Sequence, residues 1–225
     1  MATVPVLTID GPSGSGKGTV ARQVADRLGW HLLDSGALYR LVALAARNRS
    51  IPLDDESAVA RIAQQLDVRF GADAAGEEQI WLAAEEVSAQ IRTEQAGEGA
   101  SKVAALPAVR TALMDRQRSF AAPPGLVADG RDMGTVIFPA AQLKIFLTAS
   151  PAERAQRRYK QLKDKGLDAN LAALSLEIAE RDRRDASRPI APLRPADDAH
   201  VIDSTSMSID AVVARVLELA AQRFR

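Results

Sequence analysis

Residues 11–19 combine four glycines with one lysine, a combination whose chemistry suits the binding of a polyphosphate. Glycines let the backbone bend so that successive N–H groups converge on phosphate oxygens, and Lys17 adds a point charge. A turn rich in glycine but without a ligand is disfavoured, because glycine fills only about 7% of positions on average. The residues predicted to bind the phosphates are Gly11, Pro12, Ser13, Gly14, Ser15, Gly16, Lys17, Gly18 and Thr19.

One position of this loop departs from the common pattern. A Ser or Thr usually follows the lysine directly, whereas here Gly18 follows it and Thr19 comes one place later. Whether that hydroxyl binds Mg²⁺ is therefore left open. The Gly-Lys-Gly-Thr form resembles the loop of nucleoside monophosphate kinases rather than that of GTPases, and the sequence has no Asn-Lys-x-Asp guanine motif.

Arginines cluster in two segments of predicted helix. Arg154, Arg157 and Arg158 fall at i, i+3 and i+4, where like charges repel unless an anion lies between them. Arg181, Asp185 and Arg188 follow one line along a second helix. A solvated basic face remains an alternative for the first set, and an exposed ion pair between Arg181 and Asp185 is favoured for the second on spacing alone.

A third polar segment, Asp129-Gly130-Arg131-Asp132-Met133-Gly134, follows a predicted buried strand. Open α/β sheets bind ligands at the carboxyl ends of their strands. Two acids and an arginine at that edge indicate a binding site, with a plain Asp-Gly turn as the alternative.

Composition excludes several classes of protein. Lys plus Arg equals Asp plus Glu at 29 each, so the chain has no net positive charge that would attract a polyanion. Aromatic residues make up only 4%, which disfavours a surface on which nucleic-acid bases stack. The chain has no cysteine and only two histidines, which removes disulfides and Cys-type zinc sites. We find no signal h-region and no apolar stretch that could span a membrane, and we expect a cytoplasmic monomer that binds neither nucleic acid nor membrane.

Hydrophobic periodicity predicts strands that alternate with helices, the pattern of a mostly parallel sheet covered on both faces. The predicted strands are Val4–Ile9, His31–Leu33, Val68–Phe70, Gln79–Leu82, Leu126–Asp129, Lys144–Thr148 and Val201–Ile202, with a loop at 71–76. The predicted helices are Gly16–Leu28, one capped by Asp34 or Ser35 that runs through Ala45, Glu56–Leu66, Pro107–Phe120, one from Pro151 to near Gly166, Leu171–Ala186, and one capped by Ser208 that ends at Phe224. Ser150 and Glu153 fit a capping box.

Four segments together resemble bacterial cytidylate kinases, almost from end to end. They are the glycine loop with Ile9 and Asp10, His31–Arg40, Asp129–Thr135 and Glu180–Asp185. The resemblance implies an α/β fold of the P-loop NTPase type, with a parallel sheet flanked by helices across residues 1–225. It also implies a small acceptor-binding insert with short β-strands at about 67–103 and a helical lid at about 151–169.

The same resemblance implies phosphoryl transfer from ATP with Mg²⁺ to CMP or dCMP, as part of pyrimidine nucleotide metabolism. Arg40 and Arg131 would hold the acceptor phosphate, with Arg188 nearby. Ser101, Arg110 and Asp132 would read cytosine, and Arg181 with Asp185 would meet the ribose. Further acceptor-binding candidates are Ser35, Tyr39 and Asp129. The implied catalytic residues are Lys17, Arg131, Arg154, Arg157 and Arg158.

Three rivals remain at this point. A kinase for UMP, AMP or another small acceptor would differ only in its acceptor pocket. A nucleotide-binding switch would hydrolyse ATP slowly without phosphorylating a monophosphate. A nucleic-acid binder is disfavoured by zero net charge and few aromatic residues.

Overall fold

The computed structural model describes residues 4–72, 78–164, 166 and 168–224. Its strands are β1 (Val6–Asp10), β2 (His31–Asp34), β3 (Val68–Ala72), β4 (Glu78–Leu82), β5 (Glu85–Glu86), β6 (Leu126–Gly130), β7 (Leu143–Thr148) and β8 (His200–Asp203). Its helices are α1 (Lys17–Leu28), α2 (Ser35–Asn48), α3 (Glu56–Gln64), α4 (Glu94–Val103), α5 (Pro107–Arg118), α6 (Pro151–Asp164), α7 (Leu171–Ala186) and α8 (Ile209–Arg223). Every strand and helix predicted above is confirmed, with starts that agree to within two residues and ends that agree to within three.

The described residues form two compact units, which we call the sheet unit (residues 1–34 and 118–225) and the inserted unit (residues 35–117). The sheet unit contains a five-stranded sheet in the order β2-β6-β1-β7-β8, and every neighbouring pair is parallel. All residues of β1 and β6 are buried, as expected for a parallel sheet covered on both faces. The predicted α/β fold class is therefore confirmed.

Helices α1 and α8 supply apolar side chains to the core of the sheet unit. Val20 and Val24 of α1 are fully buried and Leu28 is partly buried against the same core, which confirms the predicted apolar stripe. Val212 and Val216 of α8 join that core. This packing fixes the start of α1, and with it the glycine loop, at the carboxyl end of β1.

The inserted unit contains α2 to α4, most of α5 and an antiparallel sheet in the order β3-β4-β5. The loop predicted between β3 and β4 lies mostly outside the described residues. Helix α4 was not predicted, since Gly97 and Gly99 lower its intrinsic helix propensity. A Cβ on Gly99 would come within 3.0 Å of the Cβ of Ala43, so the glycine permits close packing of α4 on α2.

The capping box predicted at the start of α6 is only half present. The amide of Glu153 donates to Ser150 Oγ at 3.2 Å, as predicted. The reciprocal bond is replaced, because the Glu153 carboxylate accepts from Arg157 at 2.8 Å and the Ser150 amide donates to Thr205 Oγ1 at 2.9 Å. The helix is thus anchored to the segment that follows β8.

Candidate active site

The glycine loop leaves the carboxyl end of β1 and turns directly into α1. Gly14 and Gly16 have φ values of +77° and +88°, a left-handed conformation in which residues with a Cβ are strained. Gly16 occupies the N-cap position of α1, no side chain caps this helix, and its first turn carries no acidic residue. Backbone amides at the positive end of the helix dipole are therefore available to an anion.

Lys17 lies at the start of α1, 8% exposed, and its Nζ donates to the carbonyl of Pro12 at 3.1 Å. Burial and the nearby guanidinium of Arg131 lower the pKa of Lys17 to about 7, against the opposing influence of Asp129. The ammonium is thus poorly stabilised in the absence of an anion. A polyphosphate would supply the missing negative charge.

We expect ATP binding to be coupled to proton uptake by Lys17. At about pH 8 a lysine with a pKa near 7 is mostly neutral, and bound phosphates would raise that pKa, so binding should take up a large part of one proton. Below about pH 6 the lysine is already charged and the uptake should vanish. Calorimetric titrations with ATP in buffers of different ionisation enthalpy measure the effect.

Lys17→Arg is the matched control for this prediction, because arginine keeps its charge at every pH in the range and should bind ATP without proton uptake. A wild-type titration whose heat does not depend on the buffer would contradict the assignment of the perturbed group.

Asp10, the last residue of β1, holds the segment that follows β6. Its two carboxylate oxygens accept from the amides of Met133 and Gly134, each at 2.8 Å. Burial raises the pKa of Asp10 to about 7, although these two amides oppose the shift. Instead of a plain Asp-Gly turn, residues 133–137 form a π-helical turn tied to the strand that leads into the glycine loop.

Asp185 is 1% exposed and lies between two arginines. Its Oδ2 accepts from Arg131 Nε at 3.0 Å, and its Oδ1 accepts from Arg188 Nη2. Burial disfavours the carboxylate, yet Arg131, Arg188 and Arg181 outweigh burial and lower the pKa of Asp185. The alternative of an exposed ion pair with Arg181 is therefore wrong, since Asp185 instead connects α7 to the segment after β6.

Two of the three arginines on α6 contact the glycine loop. Arg154 is buried and donates to the carbonyl of Ser13 at 3.0 Å and to Asp182 at 2.6 Å. Arg157 donates to Glu153 at 2.8 Å and to the carbonyl of Ser15 at 3.3 Å. The alternative of a solvated basic face is thus wrong for Arg154, and the carboxylates of Asp182 and Glu153 offset part of the repulsion expected from the spacing of the arginines.

Arg158 differs from its two neighbours. Its guanidinium donates to Gln161 of the same helix.

Five predicted acceptor-binding residues belong to the inserted unit. Tyr39 is buried, and the guanidinium carbon of Arg110 lies 5.7 Å from the centre of its ring. Arg110 Nη1 also donates to the carbonyl of Ala104 at 3.1 Å. Arg40 is half-buried, and its Nε has no hydrogen-bond partner among the described residues. The other two, Ser35 and Ser101, are both buried.

Comparison with known proteins decides the family. The family model described as Cytidylate kinase matches residues 7–222. The chain belongs to the cytidylate kinase family. A cytidylate kinase of Pseudomonas aeruginosa is 63% identical over 215 residues, covering 95% of this chain and 94% of the relative. One of Pseudomonas paraeruginosa is 61% identical over 223 residues, covering 99% and 97%.

Among solved structures, a shikimate kinase of Bacteroides thetaiotaomicron covers 97% of this chain and 99% of its own, with a TM-score of 0.45 and 13% identity. At that distance the likeness carries no argument about the site. The relation to cytidylate kinases therefore rests on sequence over nearly the full length of both chains.

The structure assembles one part of the site expected for a cytidylate kinase within the sheet unit. Lys17, Asp129 and Asp132 are buried near the carboxyl edge of the parallel sheet, where Asp129 of β6 is the register partner of Asp34 of β2. Asp185 joins Arg131 to Arg188. These residues come from distant parts of the chain, and the parallel strand order brings them together.

Three functional candidates of this cytidylate kinase family member were not predicted individually. Asp10 and Asp182 lie inside segments that carry the resemblance, but their partners are distant in sequence. Ser204 follows the last strand, and its only sequence signal is a short polar run, Asp203-Ser204-Thr205, at a strand's carboxyl end.

Two features are absent from the part of the chain that the structure describes. No cluster of three or more His, Asp or Glu side chains is arranged to hold a metal ion. None of the described helices has the length and apolar character needed to cross a bilayer.

Proposed function

We propose that this chain transfers the γ-phosphoryl group of ATP to CMP or dCMP, giving ADP and CDP or dCDP. The observation that carries the proposal is a buried, charge-perturbed Lys17 at an uncapped helix start, with Arg131 and Arg181 close enough to shift its pKa. Transfer of a phosphoryl group from ATP to a nucleoside monophosphate brings two polyanions together, so the enzyme must place positive groups around both. It needs to contribute little covalent chemistry of its own. Membership of the cytidylate kinase family supports the choice of acceptor.

In this proposal residues 11–19 hold the ATP phosphates. The amides of the loop bind phosphate oxygens, and Lys17 leaves the Pro12 carbonyl to meet the β- and γ-phosphates. Lys17 and the arginines of α6 stabilise the charge that spreads over the migrating group.

Mg²⁺ bound with the nucleotide would neutralise part of the charge on the phosphates. Gly18 has no hydroxyl to offer, and Thr19 is exposed on α1. A Cβ on Gly18 would lie 3.2 Å from Asp129 Oδ2, so a carboxylate stands beside the position where other loops place a hydroxyl. Asp129 therefore fits as an oxygen ligand for Mg²⁺, with the nucleotide and water supplying the others, as is usual for this ion.

We propose that the acceptor phosphate binds Arg40, Arg131 and Arg188, whose guanidiniums can fork onto phosphate oxygens. Asp132, with Ser101 and Arg110, would read cytosine, because a carboxylate can accept from the exocyclic amine that uracil lacks. Arg181 and Asp185 would meet the ribose, with Ser35 and Tyr39 as further contacts. Asp185 also orients Arg131 and Arg188 through its two hydrogen bonds.

Transfer would be direct and in line, without a covalent enzyme intermediate. The lid expected at 151–169 would exclude water from the phosphoryl group during transfer. We further propose that the chain acts as a monomer in the cytoplasm, where ATP and nucleoside monophosphates are available, and that it has no nucleic-acid partner.

A coupled assay of ADP release across CMP, dCMP, UMP, AMP and GMP tests the proposal. We expect ADP formation to require a monophosphate and to be fastest with CMP or dCMP. ADP release that is equal with and without any monophosphate would indicate a nucleotide-hydrolysing switch instead, and a preference for UMP or AMP would indicate a different acceptor.

Asp132→Ala should reduce the preference for CMP over UMP. Loss of an acceptor for the cytosine amine should lower kcat/KM for CMP by about 10- to 100-fold and leave that for UMP much less affected. Ratios of kcat/KM for the two substrates provide the measurement.

The matched control for Asp132 is Asp198→Ala, which removes an equal charge from a carboxylate paired with Lys144 near the start of β7. It should leave the CMP to UMP ratio unchanged. An unaltered ratio in Asp132→Ala itself would remove Asp132 from the base-reading set.

A further inference from the structure

Ser204, the residue after β8, is buried and makes hydrogen bonds to β7, α6 and the glycine loop. It is 2% exposed, and its amide donates to the carbonyl of Thr148 at 2.8 Å. Its hydroxyl lies within hydrogen-bond distance of the carbonyls of Thr148, at 3.0 Å, and Ser15, at 3.4 Å. A single hydroxyl hydrogen thus has two carbonyls within reach, one of them in the glycine loop.

Arg157 of α6 contacts both Ser204 and the carbonyl of Ser15. Its Nη1 donates to Ser204 Oγ at 3.1 Å and to the carbonyl of Ser15 at 3.3 Å, and its Nη2 donates to the carbonyl of Ser204 at 2.5 Å. Glu153 accepts from the Nε of the same guanidinium at 2.8 Å. The Ser15 carbonyl therefore has two donors within reach, the Arg157 guanidinium and the Ser204 hydroxyl. The charged guanidinium is the stronger donor, and its hydrogen bonds to Ser204 fix its position.

The direction of the Ser15 carbonyl determines where the next amide points. A trans peptide is planar, so its C=O and N–H groups point in opposite directions. Donors that hold the Ser15 carbonyl toward Arg157 and Ser204 therefore direct the Gly16 amide away from them. Gly16 is the N-cap residue of α1, and an amide at that position belongs to the set that binds an anion at a helix start.

The neighbouring carbonyls of the loop have other partners. Arg154 holds the carbonyl of Ser13 at 3.0 Å, and Lys17 holds that of Pro12 at 3.1 Å. The Lys17 contact must be given up when the lysine meets a phosphate. The contacts of Arg154 with Ser13 and of Arg157 with Ser15 can persist in the bound state, because both donors are side chains of α6 and neither belongs to the loop.

We propose that Ser204 is a positioning residue for ATP, which pre-orients the Gly16 amide by holding Arg157 and the Ser15 carbonyl. Ser204 does not touch the nucleotide in this assignment. The inference rests on the proposed binding of ATP phosphates by residues 11–19, and it adds a residue from the far end of the chain to that site. Loss of the hydroxyl should weaken nucleotide binding more than acceptor binding.

Ser204→Ala tests the inference. Removal of one buried hydroxyl should weaken ATP and ADP binding, measured by calorimetry without CMP, by about 3- to 10-fold. In steady-state assays the KM for ATP should rise by a similar factor, while the KM for CMP at saturating ATP should change by less than about twofold. A purely structural residue would lower the melting temperature without this split between the two substrates.

Ser208→Ala is the matched control. Its hydroxyl caps α8 by accepting from the amide of Ala211 at 3.2 Å, so its loss also costs stability. It makes no hydrogen bond to the glycine loop among the described residues. We expect Ser208→Ala to lower the melting temperature and to leave ATP affinity within about twofold of wild type.

Ser204→Cys provides a second variant if the alanine protein does not fold, because its slightly larger thiol leaves no cavity and makes weaker hydrogen bonds than the hydroxyl. Its ATP affinity should fall between those of wild type and Ser204→Ala. ATP affinities equal to that of Ser208→Ala in every folded Ser204 variant would overturn the inference. A wild-type protein that binds ATP but does not phosphorylate CMP would refute the proposed function alone and leave this inference intact.

Discussion

Lys17→Met should reduce kcat by at least about 10²- to 10³-fold while the protein stays folded. The lysine is buried at the start of α1, where its ammonium donates to the Pro12 carbonyl and has no carboxylate in hydrogen-bond contact among the described residues. Its electrostatic contribution should therefore be made mainly to bound phosphates and to the charge that develops during transfer. Single-turnover measurements with saturating ATP and CMP separate this loss from weaker binding.

Lys144→Met is the matched control for Lys17. Lys144 is equally buried, at 7% against 8% exposure, but its Nζ is held by Asp198 at 2.9 Å and the Pro139 carbonyl at 2.7 Å. Its replacement should cost stability and leave kcat within a few-fold of wild type. Turnover by Lys17→Met that matches Lys144→Met would refute the role of Lys17.

Asp185→Ala should destabilise the protein by about 3–5 kcal/mol, because it leaves the guanidiniums of Arg131 and Arg188 without their shared carboxylate. The KM for CMP should rise by about tenfold or more, since neither arginine is then held in place. Urea denaturation and steady-state kinetics measure the two effects. Asp198→Ala should cost less, because the carboxylate of Asp198 is mostly exposed and Lys144 keeps the Pro139 carbonyl as a partner.

The contribution of Asp185 should also depend on pH. Its pKa is lowered in the folded protein, so its stabilising effect is present above the unfolded value near about 4 and is lost as the pH falls through the lower folded value. The difference in unfolding free energy between wild type and Asp185→Asn should therefore shrink as the pH falls below about 4. A difference that stays constant to lower pH would show that the carboxylate charge is not what stabilises the cluster.

Local sequence signals were sufficient for the elements of the sheet unit. Short β-branched runs, the capping residues Ser150 and Ser208, and the apolar stripe of α1 each act within a few residues, so their outcome can be read from neighbours in the chain. The glycine loop is similar, because its geometry depends on the glycines themselves and on the helix that follows. Helix α4 escaped prediction because close packing on α2, rather than local propensity, favours it.

The sequence by itself determined a parallel α/β fold, a phosphate-binding loop at the start of α1 and a set of arginines suited to anions. Only the tertiary structure decided which charges meet. It placed Asp185 with Arg131 instead of in an exposed pair, set Arg154 and Arg157 against loop carbonyls, and brought Ser204 to Ser15 from a distance of 189 residues. The physical reason is that helix periodicity specifies a face, whereas the partner of that face depends on strand order and long-range packing.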